Sequence, residues 1–320
     1  MKKILVSRRV FPEIVDVLSR EFSVDHNLRD EILDPAALRA RAAGCDGVLA
    51  CLTERFDAAF FDACPTVKVV SNIAVGYNNI DVAEASKRGV MVTNTPGVLD
   101  DTTADLTFAL LMTAARRVTE TERRLRNGEW KKGFALEQWL GTDIHHASLG
   151  IIGMGRIGRT IARRASGFEM TVRYCNRTRL DETTERALNA TYATMEEILS
   201  QSDFVVVMVP YSPATHHLIG AAELALMKPS AIFINTARGG VVDDVALIAA
   251  LKDKRISGAG IDVFEGEPVL NPGFLELDNV ALTPHIGSAT RATRFNMASL
   301  AVKNLVAGLR GDVPPNQINP

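Results

Sequence analysis

The stretch Ser148-Leu149-Gly150-Ile151-Ile152-Gly153-Met154-Gly155-Arg156-Ile157-Gly158-Arg159-Thr160 decides how this chain reads. An apolar β-type run enters a G-x-G-x-x-G turn, and the helix-period segment RTIARRASG leaves it. In that context each glycine has its own reason to be there. Gly153 makes the tight turn, Gly155 lets the backbone approach a pyrophosphate, and Gly158 lets helix and strand pack closely. The helix N-terminus then faces the anion. The next strand, MTVRYCN, ends on Asn176-Arg177-Thr178-Arg179, with Asn176 standing 18 residues after Gly158. An Asp or Glu near that point would hold the 2′-hydroxyl of NAD, and here none is present. Arg177, Arg179 and the Thr178 hydroxyl can pair with a 2′-phosphate instead, so NADP is the expected cofactor, with NAD the second choice. The bland reading of both arginines is a solvated loop.

Short β-branched runs alternate with helix-period segments on either side of this turn. Upstream lie KILVS (3–7), GVLACL (47–52), VKVVSNIAV (67–75) and VMVTNT (90–95); downstream lie DFVVVMVP, AIFINTA, GAGIDVF and VALTPHI. Runs of this kind read as strands buried on both faces, and their alternation with helices predicts an α/β fold of two doubly wound parallel sheets. Between the two series, Asp100-Asp101-Thr102-Thr103 offers N-caps for one helix of about 25 residues that stops at Gly128. Its first half is apolar nearly all round and is expected to be buried between domains or subunits. Residues 129–147 have no clear period and carry both tryptophans, Trp130 and Trp139, as an arm that packs on something else. Residues 290–310 form a last helix. Two domains are therefore expected: residues 1–100 with 290–320 for substrate and catalysis, and residues 101–289 as a Rossmann domain, with a cleft between them.

Three further segments end strands of the second series, where open α/β sheets place ligands. They are Asn235-Thr236-Ala237-Arg238-Gly239, Asp262-Val263-Phe264-Glu265-Gly266-Glu267-Pro268 and Thr283-Pro284-His285-Ile286-Gly287. Singly, Arg238 reads as a surface ion pair, Glu267 as a loop acid and His285 as a satisfied core histidine. Together, three such groups converging on a cofactor cleft point to chemistry.

With these motifs in hand, the chain resembles the D-isomer-specific 2-hydroxyacid dehydrogenase family over essentially its whole length. The resemblance rests on IAVGYNNID, DTTADLTFALLM, GTDIHHASLGIIGMGRIG, NTARGGVVDDVAL, GIDVFEGEP and TPHIGSAT. GTDIHHASLGIIGMGRIG and HIGSATRATR look most like the glyoxylate/hydroxypyruvate reductase and bacterial 2-ketogluconate reductase branch. The resemblance implies that Arg238, Glu267 and His285 are catalytic and that the backbone amides of Val75 and Gly76 hold a substrate carboxylate. It also places Thr103, Arg156, Ile157, Pro210, Thr215, Ala237, Asp262 and Gly287 along the cofactor, and it implies a first domain of flavodoxin-like order completed by the C-terminal helix. In the implied reaction Arg238 binds the carboxylate of a 2-oxo acid and polarises its carbonyl, His285 protonates the reduced oxygen, and Glu267 orients the imidazole. Asn78 and Asn79 stand where relatives often carry Asp, a change expected to be neutral.

The rest of the sequence narrows the classes. The 320 residues carry 36 Lys+Arg against 38 Asp+Glu, a formal net charge of −2, which gives no reason to expect nucleic acid or an anionic membrane as partner. No apolar run reaches the length of a membrane span, the first residues do not form a secretory signal, and four cysteines without C-x-x-C spacing fit a reducing cytoplasm. The adjacent pairs His145-His146 and His216-His217 are expected to diverge, so no metal is expected. The expected protein is a cytoplasmic homodimer reducing glyoxylate, hydroxypyruvate or 2-ketogluconate with NADPH to the D-2-hydroxy acid. Its rivals are a D-lactate or phosphoglycerate dehydrogenase of the same family, and a dinucleotide-sensing corepressor-like protein.

Overall fold

The computed structural model describes residues 1–319. They divide into two compact units, residues 1–99 with 289–319, and Asp100–Ser288. No helix of the described residues is long and apolar enough to cross a membrane.

The first unit holds five parallel strands: β1 (Lys3–Val6), β2 (Ser23–His26), β3 (Gly47–Ala50), β4 (Val69–Asn72) and β5 (Met91–Thr93), in the order β2-β1-β3-β4-β5. That is the flavodoxin-like order. Strands β3 and β4 are buried at every residue, as their apolar runs require. Strand β2 was not legible in the sequence. SVDH lies at the sheet edge with no fully buried residue, so it carries no apolar run. The helix Arg291–Arg310 belongs to this unit and lies on β3 and β4. There a Cβ on Gly47 would stand 2.9 Å from Leu305 Cδ1, and Ser71 Oγ donates to Ala301 O at 2.8 Å. The chain after that helix covers the exposed edge of β5: Ile318 N–H donates to Val92 O, and Val92 N–H donates to Asn319 Oδ1, each at 2.8 Å. An edge paired in this way offers no template for a second chain.

The second unit holds seven parallel strands: β6 (Ser148–Ile152), β7 (Thr171–Cys175), β8 (Ala190–Tyr192), β9 (Phe204–Val207), β10 (Ile232–Asn235), β11 (Gly258–Ile261) and β12 (Val280–Leu282). Their order, β12-β11-β10-β9-β6-β7-β8, reverses direction between β6 and β9, which is where a doubly wound sheet binds its ligand. Strand β8, a partly exposed edge, also lacks an apolar run and so left no signal in the sequence.

Two expectations are corrected in this unit. The single helix from Asp100 is two, Asp100–Ala115 and Val118–Arg126, because Arg117 adopts a left-handed φ of 53°. Residues of the arm sit on that break. Thr142 N–H donates to Ala115 O at 2.8 Å, and a Cβ on Gly141 would meet the same oxygen at 2.5 Å. The carbonyl left open by the break is thus satisfied from outside the helix. The apolar face of Asp100–Ala115 is buried within its own unit, since Phe108, Leu110 and Leu111 share a core with Ile151, Ile161 and Ile234. Much of the arm is solvent-facing, with Phe134 88% and Leu136 82% exposed.

Candidate active site

The turn after β6 has the shape that its glycines predicted. Gly153 has φ +106°, and a Cβ there would lie 2.6 Å from Met208 O, just beyond β9. A Cβ on Gly158 would lie 2.4 Å from Gly153 O, so any side chain would push the helix Arg156–Ala165 off the turn. Gly155 differs: nothing lies within 4 Å of the position its Cβ would take. It caps the helix without any side-chain hydrogen bond, so the N–H groups of the first turn face open space. A cradle of backbone donors that a side chain would fill fits a pyrophosphate.

At the end of β7, Asn176 Oδ1 accepts the Met154 N–H at 2.6 Å and so ties that strand end to the glycine turn. Arg177 and Thr178 are exposed. Arg179 is not free in the way the sequence suggested. Its Nε and Nη2 bind Glu185 at 2.9 and 2.8 Å, and Glu185 also accepts the Tyr174 hydroxyl at 2.7 Å. Those hydrogen bonds, the Arg179 bond foremost, pull the Glu185 carboxyl down to about 2. Across the switch point, Thr215 Oγ1 donates to Pro210 O at 2.8 Å and closes the loop after β9.

The three strand ends to the other side meet. After β10, Asn235 Oδ1 accepts the Ala237 N–H at 3.1 Å, and Asn235 Nδ2 reaches Arg238 O at 3.4 Å, which turns the chain sharply. A Cβ on Gly239 would stand 1.8 Å from Phe264 O, so the Arg238 turn lies directly on the loop that carries Glu267. Arg238 Nη1 donates to Ala237 O at 2.7 Å, while Nε is buried with no hydrogen-bond partner among the described residues. Burial lowers the guanidinium from its ordinary value, and the charge of Glu267 opposes that shift. An unpaired guanidinium donor in a largely buried setting is costly unless an anion meets it.

Glu267 Oε2 lies 2.7 Å from His285 Nδ1, and Glu267 Oε1 accepts the Phe264 N–H at 2.8 Å. Burial works to raise the Glu267 carboxyl, but His285, the Phe264 amide and Arg238 together hold it below the usual carboxylate range. His285 itself has φ 52°, and its N–H donates to Asp262 O at 2.9 Å. Asp262, only 1% exposed, fixes this turn. Its Oδ1 accepts Thr283 Oγ1 and the Ile286 N–H, and its Oδ2 accepts the Gly287 N–H, at 2.7, 2.8 and 2.9 Å. Asp262, expected from the sequence to line the cofactor, thus holds the histidine turn. Thr103 and Gly287 adjoin it, since a Cβ on Gly287 would lie 3.3 Å from Asp262 Oδ2 and 3.5 Å from Thr103 Cγ2.

Two residues hold this region in roles that the sequence did not assign to them. Asp244 Oδ2 accepts the Glu265 N–H at 3.1 Å, and His217 Nε2 lies 2.8 Å from Glu265 Oε1. Both brace the loop of Glu267. An acid in the first turn of the helix after VVDD was the available signal for Asp244. The expectation that His216 and His217 diverge fails: His217 has φ 50°, and the two rings stack at 3.9 Å. With Glu265 they form a group whose ligand atoms lie within 4.8 Å of one another, and the His217–Glu265 hydrogen bond accounts for it.

The second unit is matched from residue 108 to residue 287 by the family model described as D-isomer specific 2-hydroxyacid dehydrogenase, NAD binding domain. Across the whole chain, a glyoxylate reductase of Pyrococcus horikoshii is 48% identical, over 99% of this chain and 96% of its own length. A glyoxylate/hydroxypyruvate reductase B of Klebsiella pneumoniae is 44% identical over 100% of this chain and 99% of its own. Among solved structures, an NADPH-dependent glyoxylate/hydroxypyruvate reductase of Sinorhizobium meliloti, in complex with NADP and malonate, superposes with a TM-score of 0.88 at 32% identity, covering 99% of this chain and 96% of that one. A glycine turn built for a dinucleotide, beside a paired Glu and His with an Arg at the adjoining strand end, is what such relatives lead one to expect: the chain belongs to the D-isomer specific 2-hydroxyacid dehydrogenase family.

Proposed function

We propose that this protein is an NADPH-dependent reductase of glyoxylate and hydroxypyruvate. The observation that carries the reading is the Glu267–His285 pair, 2.7 Å apart, with Glu267 on the loop against which the Arg238 turn is pressed. When bound, a reduced nicotinamide supplies the hydride. Arg238 presents a planar fork to the carboxylate of a 2-oxo acid and polarises the neighbouring carbonyl. His285, protonated, gives its Nε2 proton to the oxygen on which charge develops. Glu267 fixes the ring by taking Nδ1–H and balances the imidazolium charge. The backbone amides of Val75 and Gly76 hold the substrate carboxylate.

For the cofactor, Asn176 at the end of β7 lacks the charge that would repel a 2′-phosphate, and Arg177 stands exposed beside it without an ion pair among the described residues. With Arg179 held by Glu185, Arg177 and Thr178 carry the preference. The names of the relatives favour glyoxylate and hydroxypyruvate as substrates, and 2-ketogluconate belongs in the same panel. Trp130, Phe134, Leu136 and Leu140 are each more than half exposed, and this supports a homodimer closed over the arm. Sedimentation of the wild type against Phe134→Ser/Leu136→Ser tests that point: a monomeric wild type refutes it.

The deciding experiment is NADPH and NADH oxidation with glyoxylate, hydroxypyruvate, 2-ketogluconate, pyruvate and phosphohydroxypyruvate. Turnover of the first two with a lower KM for NADPH is the expected result. Turnover of pyruvate alone would move the protein to the D-lactate type, and no turnover at all would favour the corepressor-like reading.

A further inference from the structure

In the first unit the chain turns out of β4 through Asn72-Ile73-Ala74-Val75-Gly76-Tyr77, and every carbonyl from 74 to 76 is taken. Ala74 O accepts the Thr95 N–H at 2.8 Å, Val75 O accepts Asn94 Nδ2 at 2.8 Å, and Gly76 O accepts Asn72 Nδ2 at 3.0 Å. The N–H groups of Val75, Gly76 and Tyr77 meet no acceptor among the described residues. These observations are linked by covalent geometry. In a trans peptide the C=O of one residue and the N–H of the next are coplanar and point in opposite directions. Holding Ala74 O therefore aims the Val75 N–H, holding Val75 O aims the Gly76 N–H, and holding Gly76 O aims the Tyr77 N–H.

Resting on the proposed function, we infer that Asn94 and Asn72 are positioning residues. They lock two peptide planes so that Gly76 and Tyr77, with Val75, form a three-donor nest for the substrate carboxylate. Tyr77 N–H is the third donor, beyond the two amides that the family likeness implies.

The side chains are built for donation. Asn72 is fully buried, and its Oδ1 has no hydrogen-bond partner among the described residues, an unfavourable state for a buried acceptor. Its Nδ2 meanwhile serves Gly76 O, with Asn79 Oδ1 at 3.3 Å. Asn79 in turn donates to Cys51 O and Glu54 O, both at 3.0 Å, so its amide is not interchangeable with an Asp as the sequence suggested. A carboxylate at 72, 79 or 94 would face carbonyl oxygens with nothing to donate. Successive backbone N–H groups left unpaired in this way make an anion-binding concavity.

Asn94 suits a test because the one side-chain hydrogen bond it makes among the described residues is to Val75 O, while its backbone N–H and C=O remain bound to Asn316 O and Asn304 Nδ2. In Asn94→Ala and Asn72→Ala, KM for glyoxylate and Kd for oxalate, a non-reducible carboxylate probe, should each rise about 10-fold. kcat should stay near wild type, because the nest binds ground and transition states alike, and Kd for NADPH should not move. Asn94→Asp should show the same loss at pH 8 and recover part of it toward pH 5, where a protonated carboxyl can again donate to Val75 O. Thermal melting of Asn72→Ala separates a folding defect from a binding one, and Asn94→Ala stands alone if Asn72→Ala does not fold. Glyoxylate turnover by the wild type with KM and oxalate Kd unmoved in Asn94→Ala overturns the inference and leaves the functional reading intact. Oxalate binding that depends on Asn94 in a protein that reduces no 2-oxo acid upholds the nest and overturns the functional reading.

Discussion

Glu267 and His285 are joined by a 2.7 Å hydrogen bond in which Oε2 accepts from Nδ1, and the second carboxylate oxygen is fixed by the Phe264 N–H. The carboxylate can neither rotate nor slide, so the imidazole it holds presents Nε2 in one direction. Glu267→Gln keeps the size but removes the charge and lets the amide offer a donor to Nδ1, which selects the wrong tautomer. It should lower kcat about 100-fold, and His285→Ala by more, with NADPH binding preserved in both. Steady-state rates beside cofactor fluorescence titration check this, and an unchanged kcat in His285→Ala refutes the assignment.

Arg238 pairs a buried Nε, unpartnered among the described residues, with the carboxylate-binding role proposed for it. Arg238→Lys retains charge but loses the fork and cannot place two parallel donors. A fall in kcat/KM of about 100-fold is expected. If the variant works at wild-type efficiency with glyoxylate, the clamp is wrong.

The two arginines after β7 should separate cleanly. Arg177→Ala should raise KM for NADPH about 10-fold and leave NADH alone, and Asn176→Asp should do the same by repulsion while keeping the bond to Met154 N–H. Arg179→Ala, which removes the partner of Glu185, should lower Tm with little change in cofactor KM. Equal effects of Arg177→Ala on both cofactors would refute the 2′-phosphate assignment.

Asp244 is a buried carboxyl pushed up to about 6, first by burial and then by the charges of Glu265 and Asp243, with the Glu265 amide and His217 opposing. A carboxyl raised in the folded state ionises more readily in the unfolded chain. Its penalty on stability is therefore absent below about pH 4, grows up to about pH 6 and is full above that. Asp244→Asn keeps an acceptor for the Glu265 N–H and removes the penalty, on the order of 3 kcal/mol. Melting curves should show it more stable than wild type at pH 7.5 and equal to it at pH 4; no gain at pH 7.5 counts against this account.

The segments that sequence alone determined are those where one local constraint leaves no choice. Buried parallel strands are mostly apolar on both faces, so β3, β9 and β10 announce themselves, and G-x-G-x-x-G between strand and helix has few uses. That Arg238, Glu267 and His285 each follow such a strand was legible for the same reason. Edge strands β2 and β8 were not, since partial burial erases the apolar signal.

Tertiary structure decided what depends on residues far apart in the chain. The break at Arg117 depends on an arm folding back to Ala115, and the role of Arg179 depends on Glu185 claiming its fork. Asn94 reaches across from the end of β5 to a carbonyl after β4, and Asp262 gathers a turn more than 20 residues away. Hydrophobic pattern is periodic and can be read along the chain. A hydrogen bond between distant residues leaves no period, and only the fold shows which donor reaches which acceptor.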